Sequence, residues 1–158
     1  MSERGKSSVD GSQPQNSESG REVHPSSHKN DSVLETLGMK AIEVLPNPVV
    51  ITDTRQPGNP IIYVNPAFER HTGYSAVEAI GRNCRFLQRD DRDQPGLETL
   101  RRAISNGEEV SVTLRNYRKD GSRFWQELHI SPLRNESGEI THYMGFQEFI
   151  TDRENPDD

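Results

Sequence analysis

The chain has 158 residues, 30% of them hydrophobic, and a formal net charge of −6, with a mean hydropathy of −0.90. That length suits one domain with tails, and so low a hydrophobic share implies that part of the chain has no core. The acidic balance gives no electrostatic footprint for nucleic acid, the single cysteine excludes an internal disulfide or a cysteine-based zinc site, and no stretch reads as a membrane span or secretory signal, leaving the cytoplasm as the default compartment.

Residues 1–31 are rich in Ser, Gly, Pro and Asn and nearly free of apolar residues, so they are expected to form a disordered tail. His24 and His28 stand four apart, but with no helix signal they read as solvated tail histidines rather than a metal pair. The segment 32–46 predicts a flanking helix. Asp31 or Ser32 caps it, Glu35 completes a capping box, and Val33, Leu34, Leu37, Ala41, Ile42 and Leu45 follow at amphipathic spacing until Pro46. Gly38 weakens its middle. An ordered domain over 47–152 and a short tail over 153–158 are expected to follow.

Within the domain, strands are predicted over 48–53 and 60–65, joined by the turn signal TRQPGN. Short helical pieces follow at PAFERHTG, SAVEAIG and GRNCRFLQ, then a helix from Pro95 to about Ser105 stopped by Asn106-Gly107. Three long strands, 109–118, 122–133 and 139–151, end the domain. This order implies an α+β fold, a five-stranded antiparallel sheet with helices on one face.

Strand parity then picks out a polar ligand edge. Val110, Val112, Leu114 and Asn116 share one face, as do Phe124, Gln126, Leu128 and Ile130. A hairpin loop centred on Gly121 would set Asn116 opposite Gln126, and Gln147 brings a third amide on the last strand beside Gly145. Amides offer both donors and acceptors, which suits a flat heterocycle such as a flavin or pterin. A metal would require carboxylates, imidazoles or thiolates, which these faces lack.

The segments VVITD, NPIIYVNPAF, TGYS, GRNCRFLQ, LRRAI, NYRKDGSRFW and GFQEFIT resemble the light-oxygen-voltage (LOV) domain, the flavin-binding, blue-light-sensing branch of the PAS family. The resemblance implies an FMN cofactor and a photochemical cycle that turns over no substrate, in which Cys84 bonds reversibly to flavin carbon C4a after blue-light excitation. It also implies that Asn83, Gln88, Asn116 and Gln147 hydrogen-bond the flavin, that Arg85 and Arg101 hold its phosphate, and that Val50, Thr52, Leu87, Leu128 and Ile130 line the ring. Gln126 departs from the family's usual Asn, one methylene longer with the same amide chemistry. A redox flavoenzyme would require a nicotinamide or substrate site, for which no Gly-rich phosphate loop is present. A PAS module sensing haem or a metabolite would draw on His71, His129 or His142, of which the last two face outward by parity.

The chain ends at ITDRENPDD, so the resemblance implies a short LOV protein that signals as a homodimer or to a separate protein effector. On the outer sheet face, Trp125, Met144, Phe146 and Ile150 form an apolar patch that the flanking helix is expected to cover, within one chain or between two.

Overall fold

The computed structural model describes residues 11–12 and 25–150, with side chains of the first helix described from Asp31 onward. His24, most of the expected N-terminal tail, and residues 151–158 lie outside the described residues. Helix α1 runs Pro25–Val44, beginning seven residues before the expected Ser32 cap. Proline fits a first helical turn because its φ is pre-set and its missing N–H has no partner there to lose. The apolar stripe that marks the helix in sequence starts only at Val33, which is why the first turns escaped notice.

Five antiparallel strands form one sheet in the order β2-β1-β5-β4-β3: β1 (Val49–Asp53), β2 (Ile61–Val64), β3 (Val110–Tyr117), β4 (Arg123–Arg134) and β5 (Ile140–Phe149). Helices α2 (Pro66–Thr72), α3 (Ala76–Ala79) and α4 (Pro95–Asn106), with a 3-10 turn at Cys84–Gln88, connect β2 to β3. The α+β architecture is the expected one. Val50, Ile61, Val64, Phe68, Ala79 and Leu87 form the main core between the sheet and the short helices.

The β3–β4 hairpin corrects the expected register. Arg118 N donates to Ser122 O at 2.8 Å, closing a three-residue loop centred on Asp120, with Gly121 in the left-handed region at φ 91°. Asn116 therefore pairs with Phe124, and Gln126 with Leu114. The shift is two residues, so parity survives: both amides stay on the inner face but lie diagonally rather than directly across. A type I turn followed by a left-handed glycine is the usual three-residue solution, and the sequence reading placed its centre one residue late.

Edge strand β3 is covered by α4. Gln94 supplies no side-chain cap bond to α4 and spends its amide on the strand instead. Its Oε1 accepts from Arg115 N at 2.8 Å and its Nε2 donates to Arg115 O at 3.1 Å, occupying backbone groups an edge would leave open. Gly96 then lets α4 lie against β3, since a Cβ there would meet Thr113 O at 2.6 Å. Tyr143 OH donates to Ile104 O at 2.9 Å and ties the far end of α4 to β5.

Buried Asp53 organises the β1–β2 loop. One carboxylate oxygen accepts from Arg55 N and Nε, both at 3.0 Å, and the other from Arg55 Nη2 at 3.1 Å and Gln56 Nε2 at 3.0 Å. The Arg55 guanidinium, then the Gln56 amide, hold the carboxyl well below the usual carboxylate range. Its contribution to stability is therefore complete above about pH 4, the ordinary unfolded value, and is lost as pH falls through the lowered folded value. Asp53→Asn should melt below the wild type at neutral pH, and the two melting curves should converge as pH drops under 4. Thermal unfolding across that range checks it, and a constant gap would show that ionised Asp53 does not organise the loop.

Candidate functional site

The helices and the inner sheet face enclose a cavity of about 670 Å³, within the size range of cofactor pockets. All of the residues assigned to the flavin site from sequence line it. Val50 and Thr52 come from β1. Asn83, Cys84, Arg85, Leu87 and Gln88 come from the 3-10 turn and its cap. Arg101 lies on α4, Asn116 on β3, Gln126, Leu128 and Ile130 on β4, and Gln147 on β5.

The wall carries several buried polar atoms with no partner. Thr52 Oγ1, Asn116 Nδ2, Gln126 Oε1 and Gln147 Oε1 are buried without a hydrogen bond, on side chains that are 1% to 7% exposed. Such groups cost about 1–3 kcal/mol each when left unpaired, so their convergence on one cavity marks the seat of a polar, multi-edged ligand. Asn116 is half satisfied, its Oδ1 accepting from Gln88 Nε2 at 2.7 Å. Gly145 keeps the floor clear, since a Cβ there would stand 3.2 Å from Ile130 Cδ1 and 3.5 Å from Leu128 Cδ1.

The 3-10 turn places the thiol. Asn83 caps it, its Oδ1 accepting from Arg85 N and Nε, both at 3.0 Å. Asn83 Nδ2 reaches across to Gly58 O at 2.8 Å, latching the β1–β2 loop to the cysteine segment. Cys84 lies against the core cluster and opens onto the cavity. Burial pushes its thiol up to about 12, so at neutral pH the sulfur carries its proton. That is the reverse of a cysteine activated as a thiolate.

Exposed arginines mark the open end. Arg85 is tethered to Asn83, and Arg101 pairs with Glu98 at 2.8 Å with 72% of its side chain accessible. Arg92, which sequence reasoning passed over, also lines the cavity, its Nε donating to Arg89 O at 2.8 Å. Leu97, Leu100 and Ile104 were missed as well, although their spacing along α4 is a readable apolar stripe. Nothing in the sequence pointed to Gly58 and Asn59 as wall residues.

None of His71, His129 and His142 is in the lining. His71 stacks on Phe149 with ring centroids 4.0 Å apart. His129 lies on the outer sheet face, where it, Glu127 and Glu148 bring one ligand atom each within 4.8 Å. Its ring nitrogens are already engaged there, by Ser111 Oγ at 2.6 Å and Glu148 Oε2 at 3.2 Å. No described helix is long and apolar enough to cross a membrane.

A cavity with amide edges, apolar lining and a protonated thiol suits a flavin. Known proteins similar to this chain point to the same class of chromophore. Residues 46–152 match the PAS domain family. A blue-light-activated histidine kinase of Brucella anthropi is 44% identical over 111 residues, 70% of this chain and 23% of that protein. The bacterioopsin transcriptional activator of Halobacterium salinarum is 41% identical over 114 residues, 72% of this chain and 17% of that one. The chain thus spans under a quarter of the length of these relatives. Among solved structures, the LOV domain of the Erythrobacter litoralis blue-light-activated histidine kinase superposes with a TM-score of 0.63 at 44% identity, covering 67% of this chain and 97% of that domain. An RNA-binding light-oxygen-voltage receptor gives a TM-score of 0.73 at 43% identity over 77% of this chain and 35% of its own. The chain belongs to the PAS domain family and, within it, to the light-oxygen-voltage branch.

Proposed function

We propose that the chain is a blue-light receptor that holds FMN in the cavity and signals through a reversible bond between Cys84 Sγ and flavin carbon C4a. The observation that carries this reading is the set of unpartnered polar atoms on Thr52, Asn116, Gln126 and Gln147, gathered in one cavity with the only thiol. When bound, the flavin would supply blue-light absorption and an electrophilic ring carbon.

The protein's own groups do the rest. Cys84 keeps its proton up to a pKa of about 12, so Sγ can deliver a hydrogen as well as form a bond. Leu87, Val50, Leu128 and Ile130 exclude water from the ring plane. Gln147 is the responsive group: its amide can present either C=O or N–H, so a partner that changes from acceptor to donor makes it turn over. Gln126 sits 1% exposed, with Leu114 and Phe149 as its cross-strand neighbours, and would address the pyrimidine edge from a longer stem than Asn. No substrate is consumed.

Cys84→Ala should give a yellow, flavin-loaded protein that does not bleach under blue light, while the wild type bleaches and recovers in darkness. Absorbance spectroscopy decides it, and reversible bleaching of the alanine protein overturns the mechanism.

Arg85 and Arg101, with Arg92 beside them, favour a ligand ending in phosphate, which a guanidinium binds through paired N–H groups. Arg85→Ala with Arg101→Ala should lower the FMN fraction of the purified protein in favour of riboflavin or empty protein. Chromatography of the released flavin measures it, and unchanged FMN content shows that these arginines are not the phosphate site.

Signalling is proposed to run through a homodimer, with a separate protein effector as the other route. The expected cover of the outer face by α1 within one chain is not what the fold has: Val33, Leu34 and Leu37 are 54% to 65% exposed. Trp125, Met144 and Phe146 are only half-buried on the sheet. A second copy would bury both surfaces, the helix against the helix or sheet of its partner. Light scattering should give a dimer mass for the full chain and a monomer mass for Leu34→Asp with Leu37→Asp. A monomeric wild type in darkness and in light refutes the dimer.

A further inference from the structure

A run of hydrogen bonds leads from the cavity to helix α1, and the photochemistry itself has no use for it. Asn65, 0% exposed, uses its whole amide. Its Oδ1 accepts from Val49 N at 2.8 Å and Phe68 N at 3.2 Å, which starts β1 and caps α2. Its Nδ2 points the other way, donating to Ile42 O in the last turn of α1 at 3.0 Å and to Asn47 O in the linker at 2.9 Å. Among the described residues, the bond to Ile42 O is the one hydrogen bond joining α1 to the strands and helices beyond its linker.

Asn47 extends the run. Its Nδ2 donates to Gln147 O at 3.0 Å, and Gln147 N donates to Pro48 O at 3.1 Å. Both backbone polar groups of Gln147 are thus held by the linker that carries α1, while its side chain lines the cavity with an unpartnered Oε1.

We propose that Asn47 and Asn65 are the positioning residues that carry a change at Gln147 to helix α1. The proposal rests on the light-sensing reading of the cavity and names how that site is read out. Turning the Gln147 amide pulls on its own peptide, and that peptide is bonded to Asn47 and Pro48. Asn47 shares the Asn65 amide with Ile42, so strain on one bond weakens the hold on the other. Helix α1 has little packing to mask the loss, since Val33, Leu34 and Leu37 are more than half exposed. The element with two states is the last turn of α1, docked on Asn65 or released from it.

Two variants of the full, FMN-loaded chain separate anchoring from relay. Asn65→Asp keeps both acceptor bonds, to Val49 and Phe68, and removes both donations. Amide exchange of the peptide spanning residues 38–47 should then rise about fivefold in darkness, the effect of losing one ordinary hydrogen bond, and should no longer change with light. Asn47→Ala leaves Asn65 bonded to Ile42, so dark exchange of this peptide should match the wild type while its light response is lost. Bleaching and dark recovery, followed by absorbance, should persist in both variants, since neither residue lines the cavity. Unchanged dark exchange in Asn65→Asp overturns the anchor, and a full light response in Asn47→Ala overturns the relay. A wild type that fails to bleach refutes the light-sensing reading instead, and the dark arm still decides whether Asn65 holds α1.

Discussion

A buried amide without a partner is costly, and this fold carries several on one wall. The sheet's pleat places Asn116, Gln126 and Gln147 on the inner face, and burial removes the water that would otherwise satisfy them. A folded chain tolerates that only where a ligand completes the bonding or where the loss is offset elsewhere. Here the surroundings offset part of it: Gln88 satisfies one side of Asn116, and the apolar cluster beneath β1 supplies packing. What remains unpaired marks the polar edge that a bound ligand would meet.

The thiol obeys a related constraint. A catalytic cysteine elsewhere is activated by a cation or a helix N-terminus that lowers its pKa. Cys84 has the opposite surroundings, apolar on the core side, and its protonated form is the stable one. On the proposed photochemistry, the burial that suppresses dark chemistry at this sulfur also keeps its hydrogen available to the light-driven step. The guanidinium of Arg85, next along the chain, is turned back onto Asn83 and does not offset the burial. On that proposal reactivity is left to the excited ligand, which suits a switch that must stay silent in darkness.

The sequence disclosed what depends on periodicity and concealed what depends on local geometry. Alternation in β3, β4 and β5 was enough to place Asn116, Gln126 and Gln147 on one face, because a two-residue register error does not change parity. The same error put Asn116 opposite the wrong residue, since the loop's length is set by the left-handed Gly121 rather than by any side-chain pattern. The start of α1 was hidden by a polar first turn, and Arg92 by a loop with no period at all. Asn65 caps α2, but its other two bonds depend on where Ile42 and Asn47 come to rest. Those long-range partners have no local signature.

Strand order explains why the entry linker and Gln147 meet. Because β1 is inserted between β2 and β5, the chain's first strand is hydrogen-bonded to its last, antiparallel, with Val49 opposite Phe146. One step back along β1 and one step on along β5 brings Pro48 beside Gln147, where the bond from Gln147 N to Pro48 O forms. The residue before Pro48 must then lie against the same peptide, which is where Asn47 donates. A strand order that separated β1 from β5 would remove the bonds that tie Gln147 to the linker of α1. The sheet thus does two separable jobs: its inner face builds the cavity wall by alternation, and the pairing of β1 with β5 brings the flanking helix within three hydrogen bonds of Gln147.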